Sequence, residues 1–132
     1  MKTTGFTGTQ EGMTRAQKFV FKSILTDGHF HHGDCVGADE QAHAIARSLG
    51  LYIITHPPIN EYKRAFCDAD EERPAKEYLE RNRDIVNVST DMIATPKQYE
   101  EQLRSGTWAT IRYARKMKKN LTIIYPDGSI GS

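Results

Sequence analysis

The fold is decided by residues 29–55, HFHHGDCVGADEQAHAIARSLGLYIIT, which change from strand to helix and back to strand. The run from His29 to His32 is short and β-prone, and a glycine-bounded loop over residues 33–37 follows it. Alanine, isoleucine and leucine then recur at helical spacing until Gly50 ends the helix. The apolar, β-branched run from Leu51 to Thr55 is typical of a buried parallel strand. This stretch therefore predicts a strand–helix–strand unit.

The same alternation continues on both sides of this unit. Before it, Lys2–Gly8 predicts a strand, and a helix follows from an N-cap at Thr14 to a stop at Asp27 and Gly28. After it come, in order, an irregular segment over residues 59–74, a helix through about Val88, a strand at Asp91–Ala94, a helix opened by Ser105 and a strand at Leu121–Tyr125. The pattern predicts an α/β fold with an open, mostly parallel, doubly wound sheet of about five strands and helices on both faces.

Composition limits the functional classes. A chain of 132 residues has the size of one compact domain, so we expect residues 1–132 to form a single domain. A formal net charge of +1 provides no global field that would attract nucleic acid or an anionic membrane. No apolar stretch approaches the roughly 18 residues of a membrane span, and no signal core follows the N-terminus. The two cysteines, Cys35 and Cys67, lack CxxC spacing, so we expect a reducing, cytoplasmic setting.

The loops at the carboxyl ends of the strands are the expected ligand site, because parallel open sheets bind ligands there. Glycines let backbone N–H groups approach an anion, and a helix N-terminus adds unsatisfied donors. Gly106 and Thr107, at the start of the last helix, fit phosphate best. A simpler interpretation is that Ser105 is an N-cap and Gly106 a turn residue. Neither GxGxxG nor GxxxxGK[ST] occurs, which disfavours a standard dinucleotide site and a P-loop.

Four segments carry a resemblance to a known family. They are GDCVGAD at residues 33–39, RNRDIV at 81–86, DMIA at 91–94 and SGTWAT at 105–110. In this order they resemble the SLOG superfamily, a Rossmann-like group that includes LOG-type cytokinin-activating phosphoribohydrolases and the DNA-processing protein A family. The resemblance extends from the first to the last predicted strand.

The resemblance implies a nucleotide-derived ligand across the carboxyl edge of the sheet and a homo-oligomeric protein. The residues that match the family's binding loops are Gly8, Thr9 and Gln10, then Gly33, Gly37 and Asp39, then Arg83, and finally Ser105, Gly106 and Thr107. Arg83 would make a forked, charge-assisted contact to phosphate, although a solvated arginine paired with Glu80 or Asp84 is the alternative. Asp39 would accept ribose hydroxyls, or would only complement the helix dipole.

One departure from the family bears on catalysis. The phosphoribohydrolases carry a PGGxGTxxE motif, whereas this chain has Thr110 at the position of the glutamate. A threonine supplies no carboxylate, and the spacing does not place Glu100 or Glu101 against a glycosidic bond. The leading hypothesis is therefore a protein that senses or sequesters a nucleotide-derived molecule, such as a signalling or cyclic nucleotide, without turnover. The alternative is a hydrolase that cleaves an N-glycosidic or phosphoester bond in a nucleotide.

Two other clusters contain residue types that bind metals or nucleic acids. His29, His31, His32, Asp34 and Cys35 are metal-ligand types, but strand alternation separates His29 and His31 from His32, so we predict no metal site and no cofactor. His32, near the end of its strand, is instead expected to contact the ligand.

A basic run late in the last helix is compatible with single-stranded DNA binding. This is the weakest hypothesis, since cations near a helix C-terminus interact favourably with the helix dipole in any case. The run consists of Arg112, Arg115, Lys116, Lys118 and Lys119.

Overall fold

A computed structural model describes residues 1–132 and contains one sheet of seven strands. The elements are β1 (Thr3–Gly8), α1 (Arg15–Ile24), β2 (His29–His32), α2 (Ala38–Ser48), β3 (Tyr52–Thr55), a short 3-10 helix (Glu61–Lys63), β4 (Glu71–Glu72), α3 (Tyr78–Val88), β5 (Asp91–Thr95), α4 (Gly106–Lys116), β6 (Asn120–Ile124) and β7 (Ile130–Gly131). The strand order in the sheet is β4-β3-β2-β1-β5-β6-β7, and every neighbouring pair is parallel except β6 and β7. The predicted open, mostly parallel α/β sheet is confirmed.

Helices cover both faces of the sheet. On one face α1 and α2 pack together, and Phe6, Phe21 and Phe30 meet there with ring centroids 5.2–6.0 Å apart. On the other face α3 and α4 pack together over smaller clusters that include Met92 and Trp108. Because the first strand has β2 on one side and β5 on the other, the strand order reverses beside β1. This is the position at which open α/β sheets bind ligands.

Helix α1 is fixed at its start by two side chains. Thr14 and Gln17 form a capping box, as the Thr14 N-cap predicts. The buried Gln17 amide then donates from Nε2 to the carbonyl oxygens of Pro96 and Ile124, both at 2.9 Å. These bonds tie the helix to the chain at the ends of β5 and β6.

Two strands were not predicted. Glu71–Glu72 pairs with β3, and Ile130–Gly131 pairs with β6, so each adds a two-residue strand at an edge of the sheet. Two residues are too few to show the alternation that marks a strand, and a pair of glutamates has low β-propensity. The segment expected to be irregular over residues 59–74 therefore contains a 3-10 helix and an edge strand. None of the four helices has the length and apolar character needed to cross a membrane.

The aromatic cluster predicts how substitutions in α1 change the stability of the fold. Phe21 is fully buried, whereas Phe19 on the same helix is 77% exposed. Phe21→Ala should lower the free energy of unfolding by about 3–5 kcal/mol, because it removes buried area and leaves a cavity. Phe19→Ala should change it by no more than about 0.5 kcal/mol. Urea unfolding of both variants checks this, and equal losses would contradict the packing described.

Candidate functional site

A cleft of about 530 Å³ lies at the carboxyl edge of the sheet, beside the reversal of strand order. The loop after β1 forms one wall with Gly8, Thr9 and Gln10, and the start of α4 forms another with Ser105, Gly106 and Thr107. The structure thus brings together six of the residues that the sequence predicts for the site. A cleft of this volume accommodates a molecule the size of a nucleotide.

The start of α4 is the part of the cleft best suited to an anion. The Ser105 hydroxyl accepts a hydrogen bond from the Trp108 amide at 3.2 Å and caps the helix. The N–H groups of Gly106 and Thr107 belong to the first turn, so the helix itself supplies no acceptor for them. Both the predicted cap and the predicted free donors are therefore present, and they do not exclude one another. The positive end of the helix dipole adds to these donors.

Cationic side chains outnumber carboxylates around the cleft. Lys97 is paired with Glu11 at 2.7 Å, and Lys76 is paired with Asp84 at 2.7 Å. Lys63 and Arg104 also line the cleft and form no ion pair, so they can meet an anionic ligand. Glu77 is the cleft carboxylate that has no cationic partner. Its position makes it the candidate acid that the sequence did not suggest.

The segment between β3 and α3 supplies the third wall. Pro58, Ile59, Asn60 and Lys63 line the cleft from this side. The segment is held against the loop after β2 by Asp34, a fully buried residue. Its carboxylate accepts hydrogen bonds from the Arg64 Nε and the Cys67 amide, both at 2.8 Å. Sequence reasoning missed this wall, because the pairing joins residues thirty positions apart that follow no periodic pattern.

A small chamber lies behind the cleft and contains two further predicted residues. Gly33 and Asp39 line it together with Arg81 and Asn82. Burial raises the pKa of the Asp39 carboxyl to about 6 against the opposing charge of Arg81. Its Oδ2 accepts a hydrogen bond from the Cys35 amide at 3.2 Å. Asp39 therefore fixes the loop after β2, in addition to any contact with a ligand.

Arg81 is the arginine that the structure places at the site. It is 3% exposed, and its Nη1 donates to the carbonyl oxygens of Gly33 and His56. A side chain at Gly33 would overlap the guanidinium, so glycine is required there. The available sequence signal was helical phase: Arg81 lies four residues before the buried Ile85 and so faces the sheet.

Three predicted residues lie elsewhere. Arg83 is exposed on α3, stacks on Tyr113 with its guanidinium 5.1 Å from the ring centroid, and does not line the cleft. Two positions separate it from Arg81, which turns it to a different side of the helix. Gly37 adopts φ +90° and packs against the Gln10 backbone, so it supports the first loop without lining the cleft. His32 is fully buried beneath the loop after β2 and is also absent from the cleft wall.

The hydrogen bonds around His32 show which of its ring nitrogens carries the proton. His32 Nδ1 accepts from the Asp34 amide at 3.0 Å, so its proton is on Nε2 and is donated to His43 Nδ1 at 2.9 Å. The potential ligand atoms of His32, His43 and Cys67 lie within 4.8 Å of one another. The protonated Nε2 of His32 offers no lone pair, and burial raises the pKa of the Cys67 thiol to about 12. The cluster is thus better suited to hydrogen bonding than to holding a metal.

The positions considered for a catalytic acid also lie away from the cleft. Thr110 donates its hydroxyl proton to the Gly106 carbonyl at 2.9 Å, within α4. Glu101 pairs with Arg112 at 2.8 Å on the surface, and neither it nor Glu100 lines the cleft. The carboxylates available to a bound molecule are therefore those of Glu11 and Glu77.

Comparison with known proteins identifies relatives in structure only. No known protein family matches the chain, and no curated protein matches it. The molybdenum cofactor binding protein from the phototrophic bacterium Rippkaea orientalis is similar with a TM-score of 0.75 and 20% identity, over 94% of this chain and 76% of that one. The structural-genomics protein TM1055 is similar with a TM-score of 0.63 and 12% identity, over 92% of this chain and 72% of that one. These similarities show a Rossmann-like fold.

The buried histidines predict a loss of stability in acid. His31 Nδ1 and His56 Nε2 lie 2.8 Å apart, and burial lowers the pKa of His31 from 6.5 to about 4 and that of His56 to about 3. Below pH 6.5 the unfolded chain therefore binds more protons at these positions than the folded chain, and stability falls with pH until the folded pKa values are reached. Asp39, with its pKa raised to about 6, acts in the opposite direction.

Replacing both histidines tests this assignment. The double variant His31→Gln/His56→Gln should lose less stability than the wild type when the pH is lowered through this window. Thermal unfolding across the pH range checks the slope. Identical slopes for the two proteins would show that other groups control the acid response.

Proposed function

We propose that the protein binds a nucleotide-derived small molecule in the cleft, with a phosphate at the start of α4. The observation that carries this proposal is the position of the first-turn N–H groups of Gly106 and Thr107, which face the glycine-containing loop after β1 at the reversal of strand order. Lys63 and Arg104 add positive charge without neutralising partners. The description of a similarly folded protein as a molybdenum cofactor binding protein supports small-molecule binding by this architecture.

Buried polar groups next to the cleft support the same assignment. The Arg81 guanidinium forms no ion pair, and the Asn82 side-chain Nδ2 is buried without a hydrogen-bond partner. Donors left unused in a folded protein cost free energy unless a ligand or water satisfies them. Their location behind the cleft favours a ligand that carries several acceptor oxygens, as a nucleotide does.

We further propose that binding occurs without turnover, in a sensing or sequestering role. Thr110 hydrogen-bonds within α4 and supplies no carboxylate to the cleft. A nucleotide hydrolase is the second candidate, and Glu77 favours it because its carboxylate lines the cleft without a cationic partner. We also propose that the protein is a homo-oligomer, as the family resemblance implies.

The first test asks whether the ligand binds in the cleft, beside Lys63 and Arg104, or on α3, beside Arg83. The double variant Lys63→Gln/Arg104→Gln should weaken binding of adenosine 5′-monophosphate about tenfold, or about 1.4 kcal/mol, and should reduce its salt dependence. Arg83→Ala is the matched control on α3 and should bind as the wild type does. Isothermal titration calorimetry measures both variants. A loss confined to Arg83→Ala would place the ligand beside Tyr113 instead of in the cleft.

The second test separates binding from hydrolysis. Nucleoside monophosphates and cyclic nucleotides incubated with the protein should be recovered intact after denaturation, because Thr110 supplies no carboxylate at the position of the hydrolase family's glutamate. Chromatography of the released molecules checks this, and native mass spectrometry of the same sample reports bound ligand and subunit number. Release of base or of a linearised nucleotide in molar excess over protein, abolished by Glu77→Gln, would establish the hydrolase.

A further inference from the structure

The chamber behind the cleft borders the cleft along four residues. The cleft and the chamber share Gly8, Gln10, Cys35 and Tyr78, of which Tyr78 is the largest. The chamber has a volume of about 20 Å³, close to that of a single water molecule. Tyr78 is therefore the shared side chain whose displacement would open the most space between the cleft and the chamber.

The chamber contains donors without acceptors. Asn82 is 8% exposed, and its Oδ1 accepts from Arg81 Nε at 2.8 Å, while its Nδ2 has no partner. Arg81 Nη2 meets only the Cys35 sulfur, at 3.6 Å, which is a weak acceptor. The Tyr78 hydroxyl lies near the Asn82 side chain but does not satisfy its Nδ2, which has no hydrogen-bond partner of acceptable geometry. An oxygen atom that entered the chamber would find an unused amide donor.

Tyr78 is a partly exposed residue at the start of a helix. It is the first residue of α3, and the N-cap residue Glu77 makes no side-chain capping bond. The residue is 37% exposed, and its ring lies over the Arg81 guanidinium at 5.1 Å. Its hydroxyl lies so close to Gly106 that any side chain at Gly106 would overlap it. The hydroxyl therefore lies beside the first-turn donors of α4 that the ligand's phosphate is proposed to use.

We propose that Tyr78 is a gate, and that a bound ligand displaces its ring and inserts an oxygen acceptor, either phosphoryl or carbonyl, against Asn82 Nδ2. The subsite rests on the proposed function, since it requires a ligand in the cleft. The gate accounts for the aromatic hydroxyl beside the start of α4, where the ligand's phosphate is proposed to bind. Until a ligand replaces it, the Tyr78 ring shields both the chamber donors and the N–H donors of the helix. Asn82 is then a specificity-determining residue, because it favours ligands with an oxygen at that position.

Alkylation of Cys35 tests the gate without any ligand. Cys35 is 5% exposed and lines both the chamber and the cleft, and Cys67, which lines neither, serves as the internal reference. Tyr78→Ala should raise the rate of Cys35 modification by iodoacetamide at least about tenfold relative to Tyr78→Phe, with Cys67 unchanged, because thiol reactivity follows access. Peptide mass spectrometry measures both rates, and Tyr78→Leu replaces the alanine variant if that variant does not fold. Equal Cys35 rates in folded variants would overturn the gate.

Binding of adenosine 5′-monophosphate tests the subsite. Asn82→Asp keeps the oxygen that accepts from Arg81 Nε and replaces the free donor with a second acceptor, so the melting temperature should hold. Affinity should fall at least about tenfold, because the ligand oxygen then meets a carboxylate. Unchanged affinity would overturn the role of Asn82. If the wild type binds no nucleotide, the proposed function fails, whereas the alkylation rates still decide whether Tyr78 closes the chamber.

Discussion

The buried guanidinium of Arg81 is the interaction on which the site depends. It donates to the carbonyl oxygens of Gly33 and His56, which follow β2 and β3, and so attaches α3 to the carboxyl ends of two neighbouring strands. Burying a cation costs free energy unless its N–H donors are hydrogen-bonded. At Arg81, neutral carbonyl oxygens accept most of these hydrogen bonds in place of a carboxylate. The position of α3, and with it Tyr78, follows from this attachment.

Arg81 also links the two halves of the site. Its guanidinium lies under the Tyr78 ring, bonds the Asn82 amide oxygen and opposes the effect of burial on the Asp39 pKa. Asp39 in turn holds the Cys35 amide, and the neighbouring Asp34 holds the segment that forms the third wall of the cleft. A single buried charge thereby connects the loop after β2 with the start of α3. The unused donor, Asn82 Nδ2, lies in the chamber behind the cleft, which is consistent with a ligand as its partner.

The sequence predicted the fold well because alternating strands and helices carry strong periodic signals. The strands β1, β2, β3, β5 and β6 follow those signals, whereas Glu71–Glu72 and Ile130–Gly131 depend on pairing with an existing edge. The Ser105 cap and the free first-turn donors of Gly106 and Thr107 were predictable from helix capping and glycine chemistry. The family resemblance indicates Arg83 as the ligand-facing arginine, whereas helical phase relative to the buried Ile85 indicates that Arg81 faces the sheet. The Asp34 contacts with Arg64 and Cys67 are long-range and had no local signal.

The most direct test of ligand binding in the cleft is an amide NMR titration of the full chain with nucleoside monophosphates and cyclic nucleotides. If the cleft is the site, the backbone amides of Thr9, Gly106 and Thr107 shift with saturation, because the ligand's phosphate lies against them. The amides of Arg83 and Tyr113, which lie outside the cleft, keep their positions. Saturable shifts confined to Arg83 and Tyr113, or no shifts with any of these nucleotides, would contradict the account.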